Sequence, residues 1–127
     1  MTSENCPFCD LIAVREFLAE ERLAVAIADK YPLNPGHALV IPRRHEPDFL
    51  ALTPEELADL MTLAKGLRRG FPTDALNLGV NIGVAAGQTV AHAHLHVIPR
   101  FAGDVTEPRG GVRWIIPARA PYWDRDP

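Results

Sequence analysis

Apolar and polar positions along the chain change period several times, and each change marks an element. Leu57, Leu60, Met61, Ala64 and Leu67 recur at helical spacing, which gives one apolar face of the kind that lies on a sheet. The start of that segment has a mechanism: Thr53 caps, Pro54 sits where its missing N–H costs nothing, and Glu56 can bond back to the cap backbone. The pattern predicts a helix from there to about Arg69. Runs at Leu23–Ala28, His37–Ile41 and Asn77–Gly83 read as strands, and the stretch Asp29–Gly36, with two prolines and a glycine, reads as a break between the first two. Asp10–Phe17 is too short and mixed to assign. In "QTVAHAHLHVIPR", Gln88 to Arg100, every second residue from His92 is a histidine. On a strand His92, His94 and His96 share one face while Ala91, Ala93, Leu95 and Val97 take the other. The segment 101–127, rich in Pro, Gly and Arg, is expected to form an extended C-terminal arm. The order predicts a single α+β domain over 1–127, an antiparallel sheet with one face under helix and the other free to carry a site.

Composition narrows the classes without choosing among them. Hydrophobic residues make up 47% and charged ones 23% of 127 residues, which disfavours disorder throughout and membrane insertion. No charged-then-apolar leader pattern opens the sequence, and a cytoplasmic location is expected. A formal net charge of -3 offers no broad attraction for nucleic acid. The two cysteines, Cys6 and Cys9, are three apart, a spacing that suits metal binding or redox chemistry. A redox pair normally opens a helix in a βαβ setting, which the pattern lacks, so metal moves ahead.

Three histidines in register leave several readings open. They are surface decoration, three ligands of one zinc ion, or a division between a metal and a reaction. Giving all three to one metal leaves the cysteines unexplained. Two thiolates three residues apart make a half-site that two imidazoles would close.

Here the sequence becomes specific. "YPLNPGHALVIPRRH" (Tyr31 to His45) followed by "NIGVAAGQTVAHAHLHVIPR" (Asn81 to Arg100) resembles the histidine triad (HIT) family, and the tail "RFAGDVTEPRGGVRWIIP" (Arg100 to Pro117) resembles bacterial members described as dinucleoside polyphosphate hydrolases. The resemblance implies an antiparallel sheet of about five strands with two helices, and a homodimer. It implies attack by His94 on the α-phosphate of a nucleotide, a dinucleoside polyphosphate or a nucleoside phosphoramidate, through a covalent nucleotidyl-histidine, with His96 and His37 beside it. It places Asn81, Gln88 and Thr89 as phosphate donors, Asp29 at the ribose hydroxyls, and Phe8 and Ile27 along an apolar slot for the base. Asp29 and Asn81 also suit plain turn chemistry, Phe8 and Ile27 plain core, and His37 a buried strand position. Members with the Cys pair hold a structural zinc, which carries onto Cys6, Cys9, His45 and His92. The alternatives are a zinc hydrolase with metal-activated water and a nucleotide-binding protein without catalysis. No nucleic-acid polymer or membrane partner is expected.

Overall fold

The computed structural model describes residues 5–123. A short helix α1 (Pro7–Ala13) opens the chain, followed by strands β1 (Ala19–Glu20), β2 (Ala24–Ala28) and β3 (Ala38–Pro42). The long helix α2 (Pro54–Arg69) then leads to β4 (Leu76–Val80) and β5 (Leu95–Pro99). The five strands form one sheet in the order β1-β2-β3-β5-β4, with every neighbouring pair antiparallel. This is the expected α+β architecture with two α-helices.

Helix α2 begins as its sequence dictates. Thr53 Oγ1 accepts the Glu56 N–H at 3.1 Å, and Glu56 Oε1 accepts the Thr53 N–H at 2.9 Å, which satisfies two backbone donors the helix leaves open. Glu56 does more than cap. Arg44, just after β3, donates to both of its oxygens, at 2.9 and 3.3 Å, and this bonding holds the Glu56 carboxyl below its ordinary pKa. The first turn of α2 is thereby tied to the segment that carries His45.

Two apolar clusters lie on opposite faces of the sheet. Leu60, Leu63 and Ala64 of α2 pack on Ala24, Ala26, Val40, Leu95 and Val97, with Ala93 beside them. Phe8 and the residues around α1 pack on Val25, Ile27, Leu39 and Ile41. The second face is therefore not bare, as the sequence pattern suggested: α1 covers its β2–β3 half. The site is confined to the part that α1 leaves open.

Two further differences concern irregular segments. His92 and His94 precede β5, and only His96 lies within it, because the backbone from Ala91 to His94 is spent on links to other segments: the Ala93 N–H bonds to the Glu46 carbonyl at 2.7 Å. The side-chain alternation survives this, with Ala93, Leu95 and Val97 buried toward α2. The tail after Arg100 is not extended. It winds through 3-10 turns at Gly111–Ile115 and Pro117–Arg119, where Arg113 bonds the carbonyls of Ala120 and Arg119. No helix among the described residues is long and apolar enough to cross a membrane.

Leu60 is 1% exposed at the centre of the α2 contact. Leu60→Ala should cost about 3 kcal/mol, lost transfer energy plus an unfilled cavity, read as a lower denaturant midpoint at constant slope.

Candidate active site and metal cluster

His92 has no exposed surface, and both of its nitrogens are engaged. Its Nε2 donates to the Pro42 carbonyl at 2.8 Å. Nδ1 then lacks a proton and faces the Sγ atoms of Cys6 and Cys9, each at 3.5 Å. His45 Nδ1 lies 3.3 Å from Cys9 Sγ. One ligand atom from each of Cys6, Cys9, His45 and His92 falls within 4.8 Å of the others. Donor atoms about 2.0–2.3 Å from a zinc ion stand roughly 3.3–3.8 Å apart along the edges of a tetrahedron. The observed spacings fit that shell. The Pro42 carbonyl supplies the outer hydrogen bond that orients a metal-binding imidazole. Neither cysteine is in a disulfide. The pair does open a helix, α1, with Cys6 as its cap, so the helix position used above to disfavour redox chemistry is present. The two imidazoles facing the sulfurs are what favour a metal.

The sequence pattern that aligns three histidines has a different outcome in space. His94 turns its Nδ1 onto the His92 carbonyl at 2.8 Å. That bond fixes the Nδ1–H tautomer and leaves Nε2 with a lone pair. Phe8 packs edge-on against His94, with ring centres 5.1 Å apart. His94 is 6% exposed, enough to present one edge to a ligand and little more.

His96 belongs to a third arrangement. The Leu33 N–H donates to His37 Nδ1 at 3.0 Å, so His37 carries its proton on Nε2. That proton faces His96 Nδ1 at 2.9 Å, with Asp29 Oδ2 3.3 Å from His37 Nε2 and 3.8 Å from His96 Nδ1. His96 Nδ1 is therefore an acceptor, and its Nε2–H is left for a ligand. Burial lowers the pKa of both His37 and His96. For His37 the nearby Asp29 works the other way; for His96 the neighbouring His94 and His37 reinforce the shift and Asp29 opposes it. The outcome is His94, whose Nε2 can accept, beside His96, whose Nε2–H can donate, with their ring centres 5.3 Å apart.

The remaining expected residues divide. Asp29 lies at the His37–His96 pair and also accepts the Tyr31 N–H at 2.7 Å. Phe8 and Ile27 are buried in the cluster under α1. Asn81 is half-buried and Thr89 exposed, at the two ends of the loop before the histidines. Gln88 is otherwise occupied. Its amide donates to the carbonyls of Pro47 and Val90, at 2.9 and 3.1 Å, and its Oε1 accepts the Gly83 N–H. It acts as a clamp between the His45 and His92 segments, so its amide is not an open phosphate donor. Sequence reasoning missed this clamp, together with the carbonyls of Pro42 and His92 and the Leu33 amide. Backbone groups leave no signature in residue identity; a glutamine four residues before the candidate metal ligand His92 is the one visible hint.

With that geometry in place, likeness to known proteins acquires meaning. A model of the HIT domain matches residues 13–103. The chain belongs to the HIT family. An asymmetrical bis(5'-nucleosyl)-tetraphosphatase of Schizosaccharomyces pombe is 43% identical over 90 residues, covering 68% of this chain and 50% of that protein. This HIT chain thus spans half the length of that relative. An adenylylsulfatase of Arabidopsis thaliana is 34% identical over 107 residues, 79% of this chain and 54% of the relative. Among solved structures, a zinc-bound histidine triad family protein from Mycobacterium smegmatis superposes with a TM-score of 0.72 at 34% identity, over 84% of this chain and 82% of that one. A HIT family protein from Bacillus anthracis gives 0.71 at 36% identity, over 81% and 78%.

Two outcomes are expected. Cys9→Ser should abolish stoichiometric zinc uptake, measured by atomic absorption, and lower the melting temperature of zinc-loaded protein toward that of chelator-treated wild type. The second concerns pH. An unfolded histidine takes up its proton near pH 6.5, whereas burial lets folded His37 do so only at lower pH. Its contribution to stability is complete above about pH 6.5 and is lost as pH falls through the folded value. The drop in denaturation midpoint between pH 7.5 and pH 5.5 should therefore be smaller in His37→Asn than in wild type.

Proposed function

We propose that this HIT protein hydrolyses nucleotides at the α-phosphate through a covalent intermediate on His94, with dinucleoside polyphosphates as the first substrate class and nucleoside phosphoramidates as the second. The observation that carries the reading is the 2.8 Å bond from His94 Nδ1 to the His92 carbonyl. It points an unprotonated nitrogen outward from a nearly buried ring, which a nucleophile requires and a hydrogen-bond donor does not. The family and its tetraphosphatase and adenylylsulfatase relatives support the substrate class.

The chemistry follows from the tautomers. His94 Nε2 gives its lone pair to the α-phosphorus, the bond to the bridging oxygen breaks, and that pair leaves on the distal phosphate. A polyphosphate is a stable anion at neutral pH, so its departure needs charge stabilisation more than a full proton transfer. The His96 Nε2–H is the donor for that charge, held in place by the His37 Nε2–H behind it. His94 keeps its Nδ1 proton on the His92 carbonyl, so the nucleotidyl-imidazole is cationic and a good leaving group. Water then bonds to phosphorus, the P–N pair returns to Nε2, and the water's proton passes to solvent. Asp29 has acceptor positions left for ribose hydroxyls, and Phe8 and Ile27 provide the apolar wall nearest the base. Asn81 and Thr89 complete the phosphate contacts.

Zinc, which Cys6, Cys9, His45 and His92 would hold, would supply a fixed joint, since a closed four-ligand shell has no position for water. That arrangement favours the covalent route over a metal-activated water. It also separates His92 from the other two histidines, against a single metal held by all three.

His94→Ala should reduce turnover of diadenosine tetraphosphate to background while retaining zinc and fold. His96→Ala should lose about 100-fold to 10,000-fold in kcat. Acid-quenched wild type should show a mass increase of one nucleotidyl group by intact-protein mass spectrometry. Undiminished turnover in the His94 variant would sink the mechanism.

A further inference from the structure

The tail closes a cavity of about 620 Å³ against the β4–β5 pair, outside the groups used above. Its apolar wall is Leu33, Ile98, Val105, Pro108 and Trp114, and Asn77 contributes the amide. Position is the first clue. Gly79 pairs with His96 and Asn77 pairs with Ile98, so these four residues share one face. The cavity thus begins two residues along β5 from His96, about 7 Å away. Gly79 keeps the way open: a Cβ added there would meet nothing within 4 Å.

Chemistry is the second clue. Arg100 and Asp104 reach the cavity but cancel each other through two bonds of 2.8 Å, which is a poor setting for phosphate. Arg100 also donates to Asn77 Oδ1 at 2.6 Å. That fixes the orientation of the amide and leaves its NH2 with no partner among the described residues. Gly111 lies against it, and a Cβ there would come within 3.4 Å of Asn77 Nδ2, so a side chain at this position would crowd the donor. Trp114 is held by its Nε1–H on the Arg109 carbonyl at 2.8 Å. A fixed aromatic ring, aliphatic walls and one oriented amide donor suit a flat heteroaromatic ring with acceptor atoms on its edge.

We propose that this cavity is a second base site, which holds the leaving nucleoside of a dinucleoside polyphosphate while His94 reacts with the other half. The proposal rests on the nucleotide-hydrolase reading and specifies its substrate. The polyphosphate runs along the β4–β5 pair past His96 and Gly79, and the distal base lies in the cavity with Trp114 on one side and the Asn77 amide at its edge.

The test compares diadenosine tetraphosphate with adenosine 5'-tetraphosphate, which lacks the second nucleoside, using the full chain with zinc. Trp114→Ala should lower kcat/KM for the dinucleotide about tenfold more than for the mononucleotide, the scale of one lost base stack. Asn77→Asp keeps the acceptor for Arg100 and removes the NH2 donor, and it should shift the ratio in the same direction. Equal losses on both substrates, or none on either, would overturn the second base site. The same comparison is made by calorimetry on the His94→Ala background. Wild-type protein that binds both tetraphosphates but turns over neither removes the catalytic reading, and the affinity ratio measured on the His94→Ala background then decides the base site alone.

Discussion

Everything in the site depends on one buried imidazole held at both ends. His92 donates to the Pro42 carbonyl and presents its other nitrogen to two sulfurs, so its ring joins the end of β3, the start of α1 and the approach to β5. Its own carbonyl then accepts the His94 proton. Side chain and main chain of one residue thereby serve two purposes. A shift in the Cys/His cluster would move the carbonyl that fixes the His94 tautomer, which would couple the cluster to the proposed chemistry without its taking part.

The donor assignments on the other side of the site rest on a similar chain of backbone control. The Leu33 amide fixes His37, and His37 fixes His96. Leu33 is in turn next to Asn34, whose amide bonds Asp104 and the Pro99 carbonyl. The tail, the β2–β3 loop and the end of β5 therefore meet in one network. Opposite proton placements on His94 and His96 arise from neighbours that are not themselves reactive, which is how two chemically identical side chains acquire different work.

Most of the fold could be read from residue pattern because the pattern reports burial. The α2 start at Thr53–Glu56 and strands β2, β3 and β4 follow from caps and apolar runs, within a few residues. The failures have a common cause. The run from Ala91 to His94 alternates like a strand yet pairs with none, since its amides and carbonyls are committed to Glu46, Val90 and the His94 ring. Helix α1 was hidden because it is only seven residues long and mixes its few apolar residues with Asp10 and the candidate metal ligand Cys9. The tail looked extended because Pro and Gly signal breaks, whereas Arg113 turns those breaks into a folded cap. Residue types left the division of the histidines open and only the family resemblance suggested one; backbone acceptors, which no residue type announces, set the orientation of His92 and His94.

The separation of the cluster's members along the chain also bears on how the molecule assembles. Cys6 and His92 are 86 positions apart, so bringing them together closes a loop of most of the chain, an entropic cost that grows with the logarithm of its length. The Cys6–Cys9 half-site, by contrast, needs only one turn of backbone. Two thiolates so placed can meet a metal without the fold, whereas the four-residue cluster needs the end of β3 and the approach to β5 in place. A metal bound by all four residues would therefore cross-link distant parts of the chain, and its binding free energy would be folding free energy.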